Sequence, residues 1–128
     1  MGKKVGIIGI SESKCEGMNR KDSVNDLIFD TTSKAIEDAG ISPAEVDSVV
    51  LAEYDQVDGM IIAAMSTALA AHAYGKDEIR VEDDGGTALA LAYMRCLSGY
   101  FDTVLVVGWA MCSQTDLDVV TRLNFDPF

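Results

Sequence analysis

The chain reads as an α/β protein, a mostly parallel sheet with helices on both faces. Three observations predict this. Short apolar runs alternate with amphipathic stretches in the order strand, helix, strand, helix, strand, helix, strand. The runs Val5 to Ile10 and Val104 to Val107 do not alternate with polar residues, the mark of strands covered on both sides. The chain has 128 residues, 48% of them hydrophobic, enough for one domain that buries roughly two-thirds of its unfolded surface. Alternation at this spacing implies parallel strands joined by right-handed crossovers.

Val5-Gly6-Ile7-Ile8-Gly9-Ile10 predicts a buried first strand, followed by a polar loop over 11–22. Ser23 opens a helix, because Ser23 and Asp26 stand at capping-box spacing, with Asp in place of the usual Glu. Val24, Leu27, Ile28, Thr31, Ala35, Ile36 and Ala39 share one face of it. Gly40 supplies the C-terminal cap. Ser42-Pro43 starts a short helical turn with Pro at its favoured first position.

Residues 48–53 predict the second strand and 54–58 a loop. Residues 59–73, rich in Ala and Met, predict a buried second helix ended by Gly75. The third strand runs from Glu78 to Val81, and residues 82–86 form a tight turn. Residues 87–97 predict a third helix, capped by Ser98-Gly99. Residues 103–108 predict the fourth strand. The remaining residues, 109–128, hold a short helix over 116–123 with Thr115 as its cap.

The formal net charge of −11 argues against a nucleic-acid surface, which needs clustered Lys and Arg. The opening apolar run is too short for a signal sequence or a membrane span, so neither nucleic acid nor membrane is expected as a partner. Cys15, Cys96 and Cys112 are too few and too widely spaced for a disulfide framework or a zinc site. A reducing cytoplasm is the simplest compartment.

Several segments resemble one family. Ala35-Ile36-Glu37-Asp38-Ala39-Gly40-Ile41-Ser42-Pro43-Ala44-Glu45-Val46-Asp47 looks like the first helix and turn of thiolases and ketoacyl synthases. Ser98-Gly99-Tyr100-Phe101-Asp102-Thr103-Val104-Leu105-Val106-Val107-Gly108 is similar to that superfamily's third helix end and fourth strand. The opening run fits its first strand. The closest flavour is the sterol-carrier-protein-type thiolase of bacteria and archaea. The resemblance runs over nearly the whole chain and implies half of a thiolase-type N-terminal domain over 1–128. It also implies the sheet order third, second, first, fourth.

In that family a cysteine at the start of the third helix attacks the acyl-CoA thioester, activated by the helix dipole and free backbone N–H groups. Here that place reads Val81-Glu82-Asp83-Asp84-Gly85-Gly86-Thr87-Ala88-Leu89. The glycines and the helix are kept, but no cysteine is present. Aligned from the strand side the nucleophile's position falls at Gly85, and from the helix side at Glu82. Neither can form a thioester in its place. The resemblance implies no counterpart on this chain of the family's second domain, with its catalytic His and further Cys.

The resemblance makes Glu82, Asp83 and Asp84 weak catalytic candidates, as base or orienting groups. The plainer reading of Asp83 and Asp84 is N-capping. Two adjacent acids without a His or third acid make a weak metal signal, and no metal is expected. Gly85 and Gly86 either let the backbone approach a thioester or simply make the strand-to-helix turn. Gly6 and Gly9 lack the third glycine of a dinucleotide fingerprint.

Cys96, Cys112 and Cys15 read as packing or inert residues, as does His72, the only histidine. Met60 and Met65 read as core filling. Nothing promotes Tyr54 or Tyr93 above packing.

The resemblance implies a component of a thiolase-like enzyme that makes or cleaves carbon–carbon bonds in acyl-CoA substrates. No cofactor is expected, with acyl-CoA as the possible substrate. A thiolase-type partner chain would supply the second domain, and a zinc-ribbon OB-fold protein is a further partner by analogy. The strand from Glu78 to Val81 would pair with its twin in a homo-oligomer. The edge beyond residues 103–108 would be covered by a partner or by residues 109–128. The alternatives are a non-catalytic interaction subunit, or a truncated fragment, that stabilises an active thiolase-type partner, and an unrelated flavodoxin-like binding domain.

Overall fold

The computed structural model describes residues 4–17, 21–59 and 63–124. Its elements are α1 (Val24–Asp38), β1 (Ser48–Glu53), α2 (Asp55–Asp58), α3 (Ala63–Thr67), β2 (Asp77–Glu82), α4 (Gly85–Ser98), β3 (Val104–Gly108) and α5 (Leu117–Asn124), with 3-10 turns at Pro43–Glu45 and Cys112–Gln114. The three strands are parallel, in the order β2-β1-β3.

The centre is β1, whose six residues are all buried. Strand pleating sends Val49 and Leu51 to one face and Val50 and Ala52 to the other. The first pair packs with Ile28 and Ile36 of α1, Ala71, Ala73 and Val107. The second packs with Ala88 and Ala92 of α4. Two helices therefore cover two faces of one strand. Each fully buried Val or Leu there contributes roughly 1.5–3 kcal/mol.

The capping box of α1 forms as the Ser23 and Asp26 spacing predicts, with Asp26 N–H donating to Ser23 Oγ at 3.1 Å and Ser23 N–H to Asp26 Oδ2 at 3.0 Å. Gly40 follows with φ +68. On α4 the small residues Ala88, Ala92 and Cys96, spaced four apart, let the helix lie close on the sheet. At the far end of α4, Arg95 pairs with Asp77, donates to Ser48 Oγ at 3.1 Å and sits 4.3 Å over the Phe101 ring.

Four expectations need correcting. Residues 5–10 form no strand among the described residues, and β3 takes the place beside β1. The reason lies at Asp47, whose Oδ2 accepts from the N–H groups of Asp102 (2.8 Å) and Thr103 (2.9 Å), while Asp47 N–H donates to the Thr103 carbonyl at 3.0 Å. That clamp fixes the entry of β3 directly against β1. The order is thus third, second, fourth in the predicted numbering, with the first strand outside the sheet. Residues 5–10 lean on α1 instead. A Cβ on Gly9 would lie 2.7 Å from the Ala39 Cβ and also strike the Ala35 carbonyl, and Ile10 N–H donates to Asp38 Oδ2 at 2.9 Å.

Second, the helix expected over 59–73 is broken. Residues 55–58 are helical instead of looped, Gly59 turns with φ +67, and α3 ends at Thr67. His72 adopts a left-handed φ of 57, which no helix interior admits. Residues 60–62, Met60 among them, lie outside the described residues. Third, Met65 is exposed at the surface and fills no core. Fourth, the cap of α5 is Asp116, which accepts from the N–H groups of Asp118 and Val119; Thr115 does not take that role.

Candidate functional site at the start of α4

In open α/β sheets ligands bind beyond the carboxyl ends of the strands. Here that end carries a cavity of about 630 Å3, bounded by Glu53 and Tyr54 after β1, Gly108 and Trp109 at the end of β3, and Asp84 and Gly85 at the start of α4. A larger cavity, about 930 Å3, runs along the outer edge of β3 and holds none of the acidic groups just described.

The turn from β2 into α4 is built by its two aspartates. Asp84 is the N-cap, its Oδ1 accepting from Thr87 N–H at 2.9 Å. Asp83 accepts from Asp84 N–H at 2.8 Å and from Thr87 Oγ at 2.9 Å. These bonds hold the Asp83 carboxyl below the usual carboxylate range, first through Asp84 N–H and then through the Thr87 hydroxyl. A carboxylate so stabilised is a poor base at neutral pH. Glu82 is tied to Arg80 at 2.6 Å.

Gly85 and Gly86 hold the first two positions of α4, where helix geometry leaves the N–H groups without intrahelical acceptors. A Cβ on Gly85 would meet nothing within 4 Å. The place is open, and a side chain there would stand at the helix start.

Sequence reasoning missed Glu53, Asp58 and Trp109. Glu53 ends the apolar run of β1 with its side chain 0% exposed, 3.0 Å from Arg80 Nε. Arg80 also reaches Asp55 at 3.2 Å, so one guanidinium serves Glu53, Asp55 and Glu82. Asp58 is buried, and accepts from Met111 N–H at 2.6 Å and Tyr54 N–H at 3.2 Å. Burial pushes its carboxyl up from the ordinary range, against those two bonds. The Trp109 indole Nε1 is buried with no acceptor among the described residues. The one available signal was an acid closing a wholly apolar strand at Glu53.

The remaining candidates lie elsewhere. Cys96 is buried on α4, while Cys15 and Cys112 are exposed. His72 packs against Phe29 with ring centroids 5.1 Å apart, and its Nε2 stands 3.0 Å from Ser33 Oγ. Burial, with Lys76 nearby, holds its pKa below the ordinary value. Among the described residues no three His, Cys, Asp or Glu side chains converge as metal ligands would. No helix among the described residues is long and apolar enough to cross a membrane.

No protein-family model matches the chain, and no curated protein matches it. Among solved structures it is similar to 3-oxoacyl-(acyl-carrier-protein) synthase III from Aquifex aeolicus VF5, with a TM-score of 0.57 and 22% identity. The fold is thiolase-like. The match covers 70% of this chain and 30% of that one, so the likeness spans under a third of the synthase. The thiolase-like sheet places the start of α4 and the ends of β1 and β3 around one cleft.

Proposed function

We propose that this chain is a partial thiolase-type N-terminal domain, of the sterol-carrier-protein type. In this reading it is a component of an enzyme that makes or cleaves carbon–carbon bonds in acyl thioesters, and it works with a thiolase-type partner chain. The cleft at the start of α4 is the floor of the acyl-thioester site. The observation that carries this reading is the open first turn of α4, where Gly85 lines the cleft beside Gly108 at the end of β3 and, with Gly86, holds helix positions whose N–H groups lack intrahelical acceptors. Such donors can take a thioester carbonyl oxygen and stabilise negative charge developing on it. Asp83, Asp84 and Glu53 make the cleft acidic, which suits a neutral acyl group better than a phosphate.

In this reading the chain carries no acyl group itself, since none of its three cysteines lines the cleft. The thiol carrier is CoA, or by analogy with the synthase an acyl carrier protein. Trp109 is the chain's single tryptophan and lines the cleft, so its fluorescence reports occupancy. Titration with acetoacetyl-CoA should shift that emission, and intact mass after the same incubation should show no adduct. An unchanged spectrum at millimolar ligand would overturn the reading.

A second reading, a non-catalytic subunit supporting an active partner, is favoured by one observation. Asp83 and Asp84 are both engaged in building the turn. It keeps the ligand-free cleft as a scaffold. In either reading β2, the outer strand of the described sheet, is the surface for homo-oligomer pairing through Glu78 to Val81. Sedimentation of the parent chain should then show a dimer, and a stable monomer at micromolar concentration would overturn the pairing.

A further inference from the structure

Two loops leave the carboxyl ends of β1 and β3, and both line the cleft at the start of α4: Tyr54 on one, Trp109 and Ala110 on the other. One side chain reaches both. Asp58 is fully buried in α2, and its two oxygens are divided between the loops. Oδ2 accepts from the Tyr54 N–H at 3.2 Å and Oδ1 from the Met111 N–H at 2.6 Å. On the β3 side the Trp109 N–H still donates to the Ala52 carbonyl at 3.2 Å. Two residues further on, Asp58 holds the loop again.

We propose that Asp58 is a positioning residue for the cleft, holding the wall at Tyr54 and the wall at Trp109 and Ala110 at the separation that seats a ligand. The inference deepens the acyl-thioester reading and rests on it for the identity of that ligand. A carboxylate suits the place, because the two N–H groups fall on two separate oxygens and an amide side chain offers only one acceptor oxygen. Hydrogen bonds to an ionised acceptor are also shorter and stronger than neutral ones, which suits a group that fixes a distance.

The clamp at the opposite end of β3 shows the contrast with a purely structural acid. Asp47 also takes two backbone N–H groups, but it is exposed, and those bonds hold its carboxyl below the ordinary value. Its charge therefore supports the fold. At Asp58 burial raises the carboxyl in spite of its two bonds, and Asp55 on the same helix adds repulsion. Its charge therefore works against the fold. Acids perturbed in this way cluster at functional sites, and the groups this one touches belong to the two loops that wall the cleft.

The test uses the full chain and its single tryptophan, Trp109. Without ligand, Asp58→Ala should let acrylamide quench the Trp109 emission about twice as readily as in the parent, because a wall released from its anchor opens locally. With acetoacetyl-CoA, half-saturation of the emission change should rise about tenfold, as for a cleft competent about a tenth of the time. Asp58→Asn keeps the volume and one acceptor, so it should show part of both effects, and it decides the matter if the alanine variant does not fold. Asp47→Asn loosens the other end of β3 and, while folded, should change neither readout. Quenching and half-saturation equal to the parent's in folded Asp58→Ala, or in Asp58→Asn where alanine does not fold, would overturn the proposal. So would the same changes in Asp47→Asn, which would make them a general loss of stability. A parent chain that does not respond to acetoacetyl-CoA would overturn the acyl-thioester reading instead, and the quenching comparison would still decide the role of Asp58.

Discussion

Gly108 and Gly85 close on each other across the mouth of the cleft, for a Cβ on Gly108 would stand 3.7 Å from the Gly85 Cα. The end of β3 thus reaches the first turn of α4 with no side chain between them. Alanine at 108 would make ordinary van der Waals contact there and at the Ala52 Cβ, 3.9 Å away. A larger residue would fill the cleft. Gly108→Ala should keep the Trp109 emission response to acetoacetyl-CoA, and Gly108→Leu should lose it while remaining folded by circular dichroism.

The open space at Gly85 gives a sharper test. Gly85→Cys places a thiol at the helix start, where the dipole and free N–H groups favour thiolate. Asp83 and Asp84 oppose it. The expected thiol pKa lies below the ordinary value of about 8.5, read from alkylation rate against pH, and Asp83→Asn should lower it further. Intact mass should then show an acetyl adduct from acetyl-CoA in the variant and none in the parent chain. A thiol no more acidic than an ordinary cysteine would mean that the two carboxylates outweigh the helix.

Asp84 is the cap of α4, and its side chain takes one of the orphan N–H groups. Asp84→Ala should cost about 1 kcal/mol in chemical denaturation, and Asp84→Ser should restore most of it. If Asp84 were held for catalysis alone, the alanine variant would be as stable as the parent.

The elements recoverable from sequence are those set by near neighbours. Ser23 and Asp26 lie within one turn, so their capping box could be read directly. The wholly apolar run of β1 also announced its burial. Strand order was not readable, because it turns on Asp47 reaching the N–H groups of residues 55 and 56 positions away. Residues 5–10 have strand composition, but composition does not supply a ladder neighbour. The 59–73 stretch has helical propensity, which the left-handed His72 overrides. At the cleft, Asp83, Asp84, Gly85 and Gly86 were visible as a turn. Glu53 and Asp58 were not, since their burial comes from Arg80 and Met111, brought in by the fold.

Arg80 is the cation shared by Glu53, Asp55 and Glu82. Arg80→Met leaves the buried Glu53 carboxylate without that charge. Breaking a buried pair from one side costs about 3–5 kcal/mol, and the quarter exposure of Arg80 places this case at the lower end. Glu53→Gln in the same background should recover much of the loss. A double variant no better than Arg80→Met would show that the pair is not coupled.

Acid stability should divide two aspartates. The Asp47 carboxyl is held below its ordinary value of 3.8, chiefly by the Thr103 N–H and then by that of Asp102. Its folded form therefore prefers charge. The stability it contributes is present above pH 3.8 and is lost as pH falls through the lower, folded value. Asp58 is the reverse. Burial raises its carboxyl above 3.8, so the folded chain prefers it protonated. Its contribution is fullest below pH 3.8 and declines as pH rises through the raised value. Unfolding midpoints in urea from pH 3 to 7 should therefore respond oppositely to two substitutions. Asp47→Asn should flatten the loss of stability on the acid side. Asp58→Asn keeps one acceptor for the N–H groups of Met111 and Tyr54 and sets its amide against the other. It should cost stability throughout, and its deficit against the parent should narrow as pH rises, because only the parent then carries the buried charge. A deficit that widens with pH would show that the two backbone donors outweigh burial at Asp58, and that its carboxyl is lowered in the folded chain.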